Sequence, residues 1–337
     1  MAQESGGVVV VTGASAGVGR AAAQLFGEKG WRVGLIARDA ERLERTKRDI
    51  ESAGGQALVS PADVADPLAV DRARDQALER WGVIDVWVNA AMATVVSPIS
   101  RMTAEEYRRV TEVTYLGYVH GALAALAHMR GRDRGAIVQV GSALAYRSIP
   151  LQSAYCAAKA AVRGFTDSLR TELRHEGSAI RLSMVQLPGV NTPQFDWARN
   201  KLGRKHKPVS DVFQPEVAAR AIHRAALEGP RELWVGLSAM QAIVGQLAAP
   251  AILDRMLARQ AWEGQLDPQL PLLEGQPDNL FDPVPGDPGA HGRFDSTAKD
   301  RAWVLDPDAG RIALGAGLSA FAGLTLAAAF AAGRRTR

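Results

Sequence analysis

Short runs of aliphatic and β-branched residues alternate with longer amphipathic stretches from residue 8 to residue 235, and no other feature constrains the fold as strongly. The expected strands are Val8–Thr12, Arg32–Ala37, Ala57–Ser60, Asp85–Asn89, Ala136–Val140, Arg181–Val185 and Glu232–Val235. Helices are expected around 17–27, 39–53, 67–81, 103–130, 152–176 and 215–227. A run such as Val8-Val9-Val10-Val11 has no polar face, so it predicts a strand covered by helices on both sides. The alternation therefore predicts an α/β fold built on a doubly wound, mostly parallel sheet of seven strands.

The chain has 337 residues, whereas one such unit uses roughly 250, and the surplus has a composition of its own. Residues 264–310 hold seven of the 17 prolines, with nine acidic and three basic side chains, which predicts an extended, poorly structured linker. Residues 312–332 then run for 21 positions without a charge. As a helix this segment would be about 31 Å long, close to the roughly 30 Å hydrocarbon core of a bilayer. Its nine Ala and three Gly against seven Leu, Ile or Phe also fit a helix buried in a soluble oligomer. Gly315, Ser319 and Gly323 recur every four positions and could form a close helix–helix contact in a membrane. The expected organisation is one unit over 1–263, a linker over 264–310 and an apolar helix over 311–337 that provides membrane attachment.

Composition excludes several functions. A net charge of +4, dispersed along the chain, does not support nucleic-acid binding despite the sequence pI near 9.4. The single cysteine, Cys156, excludes an intrachain disulfide and a multi-cysteine metal site, and fits a reducing compartment. The six histidines show no metal-ligand spacing, so no metal is expected. A polar Met1–Gly7 that leads directly into the first strand leaves no signal peptide to be expected.

The first expected strand runs into Thr12-Gly13-Ala14-Ser15-Ala16-Gly17-Val18-Gly19. Glycines at 13, 17 and 19 between a strand and a helix suit a tight turn that brings a pyrophosphate onto backbone N–H groups; a plain turn is the other reading. The GxxxGxG spacing resembles the short-chain dehydrogenase/reductase family, and the resemblance extends in order over residues 8–235. Its landmarks are the glycine turn, Asp63-Val64, a partial motif at Asn89-Ala90-Ala91-Met92, Ser142, Tyr155-x-x-x-Lys159, and Pro188-Gly189. It implies a Rossmann-type fold with a cofactor site that includes Gly13, Ser15, Ala16, Gly17, Val18, Gly19, Asp63 at the adenine, Val64, Asn89, Ala90 and Ala91. Pro188, Gly189, Val190 and Thr192 would lie on its nicotinamide side.

Cofactor choice is read at the end of the second strand. A carboxylate there would bind both ribose hydroxyls, but Ala37 stands in its place with Arg38 next, which favours NADP(H) over NAD(H). Asp39 reads as the N-cap of the following helix.

Tyr155 and Lys159 lie four apart on one helical face, where an ammonium would lower the phenol's pKa and let it exchange a proton near neutral pH. The resemblance assigns Tyr155 as acid or base, Lys159 as its partner and a ribose contact, and Ser142 as a donor to the substrate oxygen. Cys156 reads as a packed thiol. Thr114 stands where the family has an Asn that helps connect the lysine to solvent, which predicts an altered proton relay. Ala90 and Met92 replace the family's second Asn and Gly, which predicts altered hydrogen bonding beside the cofactor.

Residues 193–260 are expected to form a substrate flap, with Phe195, Trp197, Phe213, Leu237, Met240, Ile243, Val244 and Leu247 offering an apolar surface. Leu237–Ala258 also reads as a core helix. The basic Lys201–Lys207 stretch reads as a solvated loop, or as a contact for anionic headgroups or an acidic substrate. The resulting expectation is an NADP(H)-dependent oxidoreductase acting on a lipophilic carbonyl or alcohol, with its catalytic domain on the cytoplasmic side of a membrane. The family's usual dimer helices would be 103–130 and 152–176. A dinucleotide-binding regulator with little turnover is one alternative, and a lyase or epimerase using bound cofactor is another.

Overall fold

The all-aliphatic first strand is buried on both faces, as its sequence demands. In the computed structural model, which describes residues 6–273 and 275–309, Val8 to Val11 are fully covered. Val9 and Val11 enter one apolar layer and Val8 and Val10 the other, the period-two consequence of strand geometry. The main strands are β1 (Val8–Thr12), β2 (Arg32–Ala37), β3 (Gln56–Pro61), β4 (Val86–Asn89), β5 (Ala136–Ser142), β6 (Arg181–Leu187), β7 (Glu232–Val235) and β8 (Val304–Leu305). Their order across the sheet is β8-β7-β6-β5-β4-β1-β2-β3.

The first seven strands pair in parallel as expected, and β8 adds an antiparallel edge on β7. Helices α1 (Gly17–Glu28) and α2 (Ala40–Ser52) follow β1 and β2, and α3 (Pro67–Trp81) follows β3. The Asp39 carboxylate accepts from the Arg42 N–H at 3.1 Å, capping α2 as the sequence indicates.

The single helix expected over 103–130 is two helices. They are α4 (Ala104–Thr111) and α5 (Gly117–Met129), joined by a π-helical turn at Glu112–Leu116. Beyond β5 comes α6 (Ser153–His175), and α7 (Pro215–Glu228) precedes β7. The stretch read as one core helix over Leu237–Ala258 breaks at Pro250 into α8 (Leu237–Ala248) and α9 (Pro250–Gly264). Only Ala239 and Ile243 in the first and Ala261 in the second are buried, so this hairpin is not core.

The largest departure lies after residue 263. The expected linker packs: Leu266–Pro271 pairs with Arg204–His206, Leu280 is fully buried, and Val304–Leu305 is the β8 edge. Proline-rich composition signals an absence of regular structure, which a segment satisfying its backbone against side chains also shows. The expected apolar helix, including Gly315, Ser319 and Gly323, lies outside the described residues. Among the described residues no helix is long and apolar enough to cross a membrane.

Candidate active site

A cavity of about 510 Å³ opens at the carboxyl ends of the strands, at the switch between β1 and β4 where the chain reverses its direction across the sheet. At the end of β1, Thr12 Oγ1 accepts from the N–H groups of Ala90 at 3.0 Å and Ala91 at 3.3 Å. This ties the loops after β1 and β4 together. A Cβ on Gly13 would lie 2.8 Å from Ala91 backbone at a φ of +71°, and one on Gly19 would lie 2.2 Å from the Gly13 oxygen. Neither neighbour can yield, so glycine is required at both positions. Ala16, at the N-cap of α1, supplies no side-chain cap. The first turn of α1 therefore presents backbone donors to an anion.

All the expected cofactor residues line this one cleft with a single exception. Ser15, Ala16, Gly17, Val18 and Gly19 form one wall, Asp63, Val64, Ala90 and Ala91 the next, and Pro188, Gly189, Val190 and Thr192 the far side. Arg38 lines it beside Arg42, which sequence reading missed. The Asp63 carboxylate faces the cleft and pairs with Arg109 at 2.5 Å. The exception is Asn89, which is buried behind the cleft. It donates to the Tyr118 carbonyl at 3.2 Å and to Gln139 at 2.9 Å, and accepts from Trp87 Nε1 at 2.9 Å. It braces β4 against β5 and α5. An elongated cradle with glycine backbone, helix-terminal donors and flanking arginines fits a nicotinamide dinucleotide.

Ser142 ends β5, and Tyr155 and Lys159 sit in the first two turns of α6, so the three converge on the cleft. The Ser142 hydroxyl accepts from the Leu144 N–H at 3.1 Å and is near enough to the Tyr155 phenol to lower its pKa. Lys159 Nζ lies 5.7 Å from the Tyr155 ring centre but donates to the Val140 carbonyl and to Tyr118 Oη, each at 2.7 Å. Burial pushes its pKa down to about 7. Burial likewise pushes the Tyr155 phenol well above its ordinary value, against a smaller lowering by Ser142. The expected lowering of the phenol by Lys159 is therefore not what this geometry produces. Tyr118 holds the lysine, and its only sequence signal is a position four residues after Thr114 on the same face.

Thr114 hydrogen-bonds Ala93 and not Lys159. From the π-helical turn its Oγ1 donates to the Ala93 carbonyl at 2.8 Å and accepts from the Ala93 N–H at 2.9 Å, fixing the loop that follows β4. Cys156 is a buried thiol. Of the expected apolar residues, Phe195 and Trp197 line the cleft, Phe213 and Ile243 are buried in the fold, and Leu237, Val244 and Leu247 are exposed. Ile149 and, from α9, Leu253, Met256 and Leu257 complete the apolar end. The basic stretch is not a free loop: Lys201 pairs with Glu106 at 2.8 Å, Arg204 with Glu263 at 2.7 Å, and Lys205 with Asp196 at 2.9 Å.

The model of the short chain dehydrogenase family matches residues 7–202, more than half of the chain. The chain belongs to the short-chain dehydrogenase/reductase family. It is 32% identical over 261 residues to the uncharacterized oxidoreductase YxnA of Bacillus subtilis, covering 77% of this chain and 73% of that protein. It is 30% identical over 246 residues to the putative oxidoreductase SadH of Mycobacterium tuberculosis, covering 71% of this chain and 89% of that one. Among solved family structures, an alcohol dehydrogenase from Thermococcus sibiricus complexed with 5-hydroxy-NADP is similar with a TM-score of 0.58 and 26% identity, over 67% of this chain and 94% of that one. A 3-ketoacyl-ACP reductase from Sinorhizobium meliloti is similar with a TM-score of 0.59 and 25% identity, over 67% of this chain and 96% of that one.

Proposed function

We propose that this oxidoreductase transfers a hydride between NADP(H) and a hydrophobic carbonyl or alcohol. The observation that carries the reading is the convergence of Ser142, Tyr155 and Lys159 on one cleft lined by glycine backbone and by apolar side chains. The nicotinamide, when bound, supplies or accepts the hydride. Ser142 orients the substrate oxygen, and Tyr155 donates a proton to it in reduction or takes one in oxidation. Burial keeps the phenol protonated, the state that reduction of a carbonyl requires of it. Lys159, near neutrality in pKa and bonded to Tyr118, is placed to pass protons beneath the tyrosine.

The absence of a carboxylate at Ala37, together with Arg38 and Arg42 in the cleft, supports NADP(H), as does the likeness to a structure bound to an NADP analogue. Ile149, Phe195, Trp197, Leu253, Met256 and Leu257 support a lipophilic substrate. The test is NADPH oxidation across a panel of aliphatic and aromatic ketones, comparing the wild type with Tyr155→Phe. A loss of at least about a hundredfold in kcat with cofactor affinity retained is expected. Binding of the cofactor with no turnover on any compound would favour the regulatory alternative instead.

A further inference from the structure

Residues 276–292, which their composition assigns to a linker, cross the mouth of the cleft beside β2 and α1. Their backbone engages the two arginines that would read the cofactor's ribose. Arg38 Nη2 donates to the Asn279 carbonyl at 2.6 Å, and Nη1 donates to the carbonyls of Phe281 and, at 3.5 Å, Leu280. Arg42 donates from Nε to the Gly286 carbonyl at 2.7 Å and from Nη2 to that of Val284. Asn279 and Pro283 line the cleft with them.

Other contacts anchor this crossing independently. The Leu280 side chain is 0% exposed, and its carbonyl accepts from Arg109 at 2.9 Å. Asp278 pairs with Arg199 at 2.8 Å and caps the Leu280 N–H at 3.0 Å. The Asn279 N–H donates to the Trp197 carbonyl at 3.0 Å, and Asp287 pairs with Arg20 at 2.6 Å.

Resting on the NADP(H) reading, we propose that Asn279–Gly286 is a strap that competes with the cofactor's 2′-phosphate for Arg38 and Arg42, so that NADP(H) lifts it and NAD(H) leaves it closed. A guanidinium has five N–H donors in one planar fork, and a phosphate seated bidentately on it takes donors the strap carbonyls now hold. A phosphate makes charge-assisted bonds roughly twice as strong as those to neutral carbonyls, so it displaces them, whereas the 2′-hydroxyl of NAD(H) has no charge to offset their loss. Asp282 and Asp287 act electrostatically on the same arginines, so strap and phosphate also repel. The contact at Gly289 is different. Its carbonyl accepts from the Gly17 N–H at 3.2 Å, at the helix terminus where the pyrophosphate of either dinucleotide would bind, so it responds to both.

Hydrogen exchange on the full-length chain tests this, with the Asn279 and Leu280 amides as reporters. At equal saturation, exchange at these amides should be about tenfold faster with NADP+ than with NAD+, because only one ligand distinguishes the two strap states. Leu280→Ala weakens the anchor without changing charge, and should lower the Kd for NADP+ several-fold while leaving that for NAD+ unmoved. If the buried truncation unfolds, Asp278→Asn serves the same purpose from the surface. Equal exchange with the two cofactors, or equal shifts of both dissociation constants in the variants, would overturn the strap while leaving the cofactor site intact. NADP+ affinity unaltered in Arg38→Asp would instead overturn the NADP(H) reading, and the strap with it.

Discussion

Lys159 has a backbone carbonyl and a tyrosine hydroxyl for partners, and no carboxylate pairs with it among the described residues. Its folded pKa of about 7 lies below the ordinary 10.5, so the folded chain binds fewer protons than the unfolded one between those values. Stability therefore rises with pH across that window, and the penalty is fully present below pH 7. Lys159→Met should raise the Tm most near pH 6, with the gain shrinking toward pH 10. Calorimetry across that range decides it, since a gain independent of pH would mean that Lys159 does not titrate within that window. Gly13→Ala, at a φ of +71° with Ala91 backbone 2.8 Å away, should abolish dinucleotide binding by fluorescence titration while the chain still folds. Ser142, Tyr155 and Lys159 were legible because their spacing is local. Tyr118 and the bracing role of Asn89 were not, because each depends on which strand and helix meet behind the cleft.

Two elements differ from their sequence reading for identifiable reasons. The π-helical turn at Glu112–Leu116 brings Thr114 onto Ala93, and a helical periodicity does not report one extra residue in a turn. Thr114→Val keeps the shape and removes both bonds, leaving a buried amide and carbonyl unpaired. Urea denaturation should show a loss of about 1–3 kcal/mol. The break at Pro250 turns a supposed core helix into a hairpin whose second arm lines the apolar end of the cleft. Met256→Ala should raise KM for a bulky apolar ketone by about tenfold while sparing kcat for a small one. Unchanged KM for every substrate would place the substrate elsewhere.

As a whole the molecule includes its proline-rich segment in the fold. Leu280 is fully covered, Ala290 is buried, and β8 completes the sheet edge, so residues 264–309 cannot be removed without exposing apolar surface. A chain ending at Glu263 should melt at least about 10 °C lower than the full chain, given roughly 1.5–3 kcal/mol for Leu280 alone plus the lost strand pairing. An unchanged Tm would restore the linker reading.

Sequence alone determined the parallel sheet, the glycine turn and the grouping of Ser142, Tyr155 and Lys159. Strand burial, backbone conformation and i, i+4 geometry are short-range properties written in adjacent residues. Tertiary structure decided the antiparallel edge, the partners of Lys159 and the course of residues 276–292 over the cofactor mouth. Arg38 meets the Asn279 carbonyl across 241 positions of chain. Any residue except proline at a strap position offers the same carbonyl and N–H, so no side-chain pattern marks where a backbone will satisfy a distant guanidinium.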